Sequence, residues 1–432
     1  MQTIDYQSFD ERVTKFRLRD RLDVVVIHKP DFFKTYVTLT TPLGSIHHHY
    51  RDDEGIHDAP AGIAHFLEHK VFEKNGVDIS SEFSRDEAQV NAYTEHTKTT
   101  YLFHATAHVF DHITRLLTMF FHPEFTDEGV EKEKSIITEE LNMHLDSPHY
   151  QQYQAHLSQL FLSHPIRDDI LGTHESIQAM TTETLRRMHQ AYYRPDVCTL
   201  TVVGDIDEAA LKNHLEATVT LPEESLYHPH QPLVDEAHSV QEPRRVMHLD
   251  LRVPSVLVGI KHMPEGEMTA HQRLKHQLSM TMLYDLVFGK SSDLHEALMD
   301  EGLINDSYGI DLQFEATYGY ALIGTESYEP ERFADRIVSV LRELDTHRID
   351  VNDFNRYKKQ ILGGFVMSLD SLEYIAHETA RHIKDGLLFH DMLDIARGIA
   401  FEDILALKQS IDEERMAVTY ALPKQPSNKN TP

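Results

Sequence analysis

His65, Glu68 and His69, in the run His65-Phe66-Leu67-Glu68-His69, are the side chains best suited to chemistry in this chain. On a helix, four residues turn through about 400°, so both imidazoles point to one side, about one turn apart. That geometry grips a single metal ion with two neutral nitrogen ligands. Glu68 lies about 60° around the helix from His65, within reach of a metal-bound water. Two imidazoles, an acidic ligand from another element, a water and a free carboxylate together make a hydrolytic zinc centre. The order His-x-x-Glu-His is the inverse of the commoner His-Glu-x-x-His.

The spacing alone is weak evidence. The chain has 31 histidines in 432 residues, so roughly two such pairs arise by chance. Two others exist, His104/His108 and His108/His112, the latter with Asp111 in the acidic position. There, Phe110, Ile113, Leu116, Leu117 and Phe120 form an apolar stripe, which predicts a wet face for His108, Asp111, His112 and Arg115. The first motif instead sits among Ile63, Ala64, Phe66, Leu67 and Val71, where polar groups would need partners if buried. The internal run His47-His48-His49 follows a turn signal and reads as a polar loop rather than a second metal site.

A third ligand must come from elsewhere. Residues 130–141 read as a helix, on which Glu133 and Glu140, seven apart, share a face. Glu139 points about 100° away. One of the first two would bind metal and the other could orient a ligand histidine. The competing reading is a charged outer face.

His-x-x-Glu-His, followed after a long gap by Glu-x6-Glu, resembles the pitrilysin/insulinase family of inverted-motif zinc metallopeptidases. Val90-Asn91-Ala92-Tyr93-Thr94 resembles that family's Asn-Ala-aromatic-Thr strand, and Leu200-Thr201-Val202-Val203-Gly204 the strand closing its first domain. The runs 66–74 and 137–143 are especially similar to the YmfH-like bacterial subgroup. The resemblance implies zinc, one ion per chain, held by His65, His69 and Glu140. It implies Glu68 as general base and Glu133 as the acid orienting a histidine. By resemblance too, Asn91, Ala92, Tyr93 and Thr94 would bind substrate along an edge strand. The implied activity is endopeptidase cleavage of peptides or small unfolded proteins. The implied fold is α+β, with two tandem homologous α/β-roll domains of the mitochondrial-processing-peptidase/insulinase type, one half of a clamshell.

The elements that must position these residues divide into two halves. Leu22–Ile27 and Tyr36–Thr40 read as a hairpin-like pair of strands, Val90–Phe103 as a strand, 107–121 and 126–146 as helices. A helical stretch 150–190 leads to a strand at 197–203. Three prolines between 222 and 232 mark a linker. Strands at Arg245–Leu251, Ser255–Lys261 and Tyr318–Thr325, helices at His271–Phe288, 330–345 and 351–368, and a closing strand Ala417–Leu422 restate the first half. The predicted domains are 1–220, bearing the metal motif, and 241–424, lacking it, with a linker at 221–240 and a disordered tail at 425–432.

A net charge of −29 argues against a nucleic-acid partner and suits basic peptides. No window approaches the roughly 18 apolar residues of a membrane span. The N-terminus has no secretion-signal pattern, and Cys198 is the single cysteine, so a cytoplasmic setting is expected.

The second half departs from the family pattern. Members carry an Arg and a Tyr there that bind substrate near the metal. Met299 stands where the Arg is expected, and Tyr308 matches the Tyr. A thioether cannot donate hydrogen bonds to a carbonyl. The expectation is therefore a heterodimer with a paralogous subunit that supplies the Arg/Tyr pair, a homodimer being possible. The alternative is a non-catalytic peptide-binding or assembly subunit that needs a partner.

Overall fold

Twelve strands form the two main sheets of the computed structural model, which describes residues 1–6, 9, 11–52, 55–74, 77–223, 234–264 and 266–424. Residues 224–233 of the proline-rich linker and the 425–432 tail lie outside the described residues. The chain forms two compact units. Unit 1 comprises Met1–Leu141, Asp169–Leu233 and Gly364–Met392, and unit 2 comprises Asn142–Asp168, Val234–Gly363 and Leu393–Pro432.

The unit 1 sheet contains β1 (Gln2–Tyr6), β2 (Glu11–Leu18), β3 (Leu22–His28), β4 (Thr35–Thr41), β5 (Ala88–Thr94), β6 (Thr99–Ala105) and β7 (Thr199–Gly204). Their order across the sheet is β1-β2-β3-β7-β4-β6-β5, and only β3 and β7 run parallel. Val24, Val26, Val37, Leu39, Phe103, Leu200 and Val202 join one core with Ile113, Leu116, Leu117 and Phe120 of helix Val109–Phe121. Helix Leu372–His382, from far along the chain, covers β4 and β7. Covered strands of this kind are rich in β-branched residues throughout, as β3 and β7 are.

The unit 2 sheet contains β8 (Arg244–Leu249), β9 (Ser255–His262), β10 (Gly309–Phe314), β11 (Gly319–Glu326) and β12 (Met416–Pro423). Its order, β8-β12-β9-β11-β10, repeats β3-β7-β4-β6-β5 strand for strand, with the parallel pair in the same place. The two α/β domains are therefore duplicates, as the order of elements predicted. Helix Pro148–Leu160 covers β12 and β9 here, as helix Leu372–His382 covers β7 and β4 in unit 1. It packs so closely that a Cβ on Gly259 would fall 2.0 Å from His156 Nε2. His156 Nδ1 meets Thr419 Oγ1 at 2.6 Å, and burial drives its pKa down to about 3, so the ring is neutral. The loop after this helix is held by Glu236, whose carboxylate accepts the backbone N–H groups of Leu162, Ser163 and His164 at 2.9, 2.7 and 2.6 Å and pairs with buried Lys261.

Several expectations are corrected. The strands at 22–28 and 35–41 are not paired, because β7 lies between them. The six residues 29–34 are enough to span the roughly 10 Å of one intervening strand. Val90–Phe103 is two strands, turned at Glu95–Lys98 with Glu95 N–H donating to Lys98 O at 2.8 Å. The stretch 150–190 is three α-helices, Pro148–Leu160, His174–Gln178 and Thr182–Tyr192, with a 3-10 turn at Pro165–Arg167. His112 is fully buried rather than wet; its ring stacks on Phe83 at 5.4 Å, and Nε2–H donates to Asp86 O at 3.1 Å. Residues Ser45–His48 form a 3-10 turn, with His48 buried and bonded to Ser45 O at 2.9 Å. Among the described residues, no helix is long and apolar enough to cross a membrane.

Candidate metal centre

The motif helix runs Ile63–Val71 and starts at Gly62, whose φ of 87° is left-handed. A side chain there is barred twice, since its Cβ would also lie 2.3 Å from Leu171 O. Ile63, Ala64, Phe66, Leu67 and Val71 enter the unit 1 core, which fixes the helix's rotation. His65, Glu68 and His69 then face the second helix, Asp127–Leu145. That helix buries Val130, Ile137 and Leu141 together with Glu133, while Glu139 is exposed.

The side chains converge. Glu140 Oε1 is 3.6 Å from His65 Nε2, and its Oε2 is 3.5 Å from His69 Nε2. The imidazole rings are 4.7 Å apart between centroids. With bonds of about 2.1 Å, a tetrahedral zinc spaces its ligand atoms about 3.4 Å apart. The three donors fit that spacing, and they are the group among the described residues that could hold a metal ion.

Glu133 and His69 meet at the other side of the ring, Oε1 lying 3.0 Å from Nδ1. A proton on Nδ1 donated to Glu133 leaves the Nε2 lone pair facing Glu140. Burial alone would push the His69 imidazole down, but the hydrogen bond and charge of Glu133, with Glu68 and Glu140 nearby, outweigh it and raise its pKa. Glu68 accepts a hydrogen bond from Thr94 Oγ1 at 2.6 Å. Below the helix, the buried Tyr101 and Tyr193 hydroxyls meet at 2.9 Å.

Thr94 thus touches Glu68 directly, a role its place in the strand motif did not foretell. Lys70 was also missed. It is fully buried, pairs with Glu73 and lies 3.9 Å from Glu133 Oε2. The available signal was a lysine on the apolar side of an otherwise committed helix.

A cleft of about 420 Å³ opens beside Glu68, His69 and Glu133, with Asn91, Ala92 and Ile136 on its walls. Its β5 wall is the sheet edge, paired only with β6 among the described residues. Because Glu95 bonds to Lys98, alternation makes Tyr93/Thr100 and Asn91/Leu102 the hydrogen-bonded pairs. The backbone groups of Ala92 and Thr94 therefore point outward, and Ala92 N–H is held by Asn91 Oδ1 at 2.9 Å. Tyr93 projects to the opposite face, its hydroxyl 2.6 Å from His377 Nδ1. Tyr308 is not part of this group. It lies in unit 2, buried, with its hydroxyl donating to Phe288 O at 2.6 Å. Met299 is exposed on helix Asp293–Asp300.

Comparison with known proteins gives the family. The insulinase domain of peptidase family M16 matches residues 33–174, and the M16 inactive domain matches residues 179–361. The chain belongs to peptidase family M16. The M16 chain is 33% identical to the uncharacterized zinc protease YmfH of Bacillus subtilis (strain 168), covering 98% of this chain and 100% of YmfH. It resembles the crystal structure of an M16-like peptidase from Alicyclobacillus acidocaldarius with a TM-score of 0.90 at 31% identity, over 98% of this chain and 100% of the other. The periplasmic protease PqqL of Escherichia coli shares the fold at a TM-score of 0.73 and 17% identity; the match takes in 95% of this M16 chain and 48% of PqqL.

Proposed function

We propose that this chain is a zinc-dependent endopeptidase for peptides or small unfolded proteins, with His65, His69 and Glu140 as metal ligands and Glu68 as general base. One observation carries the reading: two imidazoles and a carboxylate at tetrahedral spacing lie beside a second carboxylate, in a cleft along an open sheet edge. When bound, zinc supplies a Lewis acid that polarises the scissile carbonyl and eases deprotonation of water. Glu68 takes the proton of the attacking water and delivers it to the leaving amine. Thr94 holds one oxygen of Glu68, leaving the other for this transfer. Glu133 fixes the tautomer and orientation of His69. The outward backbone groups of Ala92 and Thr94 can pair with an extended peptide, giving affinity with loose sequence preference. Asn91 releases the Ala92 N–H as the peptide arrives.

The test is Glu68→Gln. It should retain one zinc per chain and lose about 10²–10⁴-fold in peptide turnover. Wild-type turnover with full zinc would end the proposal.

The state of the second half supports a partner. Met299 replaces the expected Arg, and the Tyr308 hydroxyl is already committed to Phe288. The active form proposed here is a heterodimer with a paralogous subunit that supplies an Arg/Tyr pair; a homodimer would carry two zinc sites and no Arg. PqqL, of which this chain matches about half, is consistent with a second pair of domains. Full activity of the isolated chain, unchanged by the co-expressed paralogue, would exclude the heterodimer. Stoichiometric zinc without cleavage, alone or with the paralogue, would favour the non-catalytic peptide-binding alternative.

A further inference from the structure

Unit 2 holds a cavity of about 360 Å³ that the peptidase reading does not use. Small-molecule sites occupy about 300–1,000 Å³. It lies between helix Ala270–Phe288, the turn joining β10 to β11, and the segment 407–415. Met280, Phe314 and Ile411 are buried and give it an apolar floor. Arg273, His276, Glu315 and Arg415 bring polar groups to its walls.

Arg415 decides the chemistry. Its Nε donates to Lys261 O at 3.2 Å, and the residue forms no ion pair among the described residues. The chain has 70 acidic side chains against 41 lysines and arginines. Other half-buried arginines in it have found carboxylates, Arg245 with Glu242 and Arg115 with Asp86. Arg415 keeps its two terminal amino groups for something else, beside an apolar floor. His262, at its inner end, meets Tyr284 Oη at 2.7 Å. Burial, then Arg415, hold that imidazole at about 3, so it is neutral and does not compete for an anion.

We propose that this cavity binds an amphipathic carboxylate, an apolar ring or chain ending in a single carboxylate. The terminal amino groups of Arg415 grip the two carboxylate oxygens, a geometry for which guanidinium is suited. The apolar body rests on Met280, Phe314 and Ile411, and the unbranched thioether of Met280 adapts to its shape. Two sources carry this chemistry: a free apolar acid, and the C-terminus of a peptide ending in an apolar residue. The inference goes beyond the peptidase reading and does not depend on it.

Isothermal titration calorimetry of the full chain, stripped of metal so that zinc cannot itself take the carboxylate, tests it. The probes are 3-phenylpropionate, decanoate, N-acetyl-Leu-Phe and the C-terminal amide of that dipeptide. At least one acid should bind saturably and the amide should not. Binding by the peptide acid alone identifies a peptide terminus, and binding by the simple acids alone a free acid; either supports the site. R415Q should weaken the bound acid at least about tenfold, the usual scale for losing a charged hydrogen-bond partner. R415K, which keeps charge and packing but loses the planar fork, should weaken it by a smaller factor and serves should R415Q fail to fold. The proposal is overturned if the amide binds as well as the acid. Wild-type affinity in both variants, or no saturation by any acid up to about 5 mM, overturns it equally.

Discussion

Replacing Glu133 by Gln isolates the charge of a side chain that touches a candidate zinc ligand without being one. Glu133 is buried, with Oε1 3.0 Å from His69 Nδ1 and Oε2 3.9 Å from Lys70 Nζ. Glutamine fills the same space and keeps an acceptor for the His69 proton. What it loses is the difference between a charged and a neutral hydrogen bond, roughly 1–1.5 kcal/mol. That corresponds to about a tenfold rise in zinc dissociation constant. Glu133→Ala, which removes the acceptor too, should approach a loss of about 100-fold, the upper end for partners of ligand histidines. Glu140→Gln, which removes a ligand, should exceed both. Glu139→Gln is the internal control: it lies on the same helix and next to Glu140, but is exposed and points about 100° away. It should change nothing. Competition with a chromophoric chelator at about pH 8, above the ordinary imidazole range, reads all four. Unaltered zinc affinity in Glu133→Gln, or equal weakening in Glu139→Gln, would refute the reasoning.

Three further outcomes are expected. Ala92→Pro removes an N–H that points away from β6, so the sheet should tolerate it while the Michaelis constant for peptides rises about tenfold; an unchanged Michaelis constant would count against substrate pairing at β5. Gly259→Ala drives a methyl group toward the buried His156 ring and should cost about 1–3 kcal/mol in denaturant unfolding, whereas a neutral result would mean the helix above it can retreat. Glu236 titrates below the ordinary carboxylate range: burial pushes its pKa up, but Lys261 and three backbone N–H groups overcome that and hold the charged form. Its stabilisation is thus fully present above the unfolded value of 4.5 and is lost as pH falls through the lower folded value. Glu236→Gln should flatten the acid limb of a stability-against-pH curve, and an unchanged limb would contradict the assignment.

The candidate centre was legible because its information is local. Two spacings, four residues and seven residues, set the faces of two helices, and the apolar neighbours of each set which way that face turns. Choosing between Glu133 and Glu140 was not legible from spacing, since both share a face; it took the approach of the two helices to bring Glu140 to both Nε2 atoms. The repeated order of strands and helices also came through. What failed was pairing at a distance. Nothing in residues 22–41 announces that β7, more than 150 residues later, slips between two neighbouring strands. The turn at 95–98 contains no Gly or Pro, so a hairpin read as one strand. His112 was misplaced because helical periodicity saw one apolar stripe, while Phe83 arrives from a separate element to cover another side. Nor does any periodicity reveal that helix Leu372–His382 belongs with the first sheet.

That last helix has a consequence for the order in which the protein comes into being. A ribosome releases residues 364–392 well after β7, the last strand of that sheet, has emerged. Until then, β4 and β7 lack the cover under which Thr38, Thr199 and Thr201 are buried. The sheet that carries the cleft edge therefore stays unfinished while the whole stretch between β7 and this helix is made, unlike a domain that closes as soon as its own stretch emerges. A nascent chain would carry every residue of the candidate metal centre long before it had the framework that positions them. For the same reason, a gene cut at the linker would yield two fragments, each missing a helix that its sheet requires.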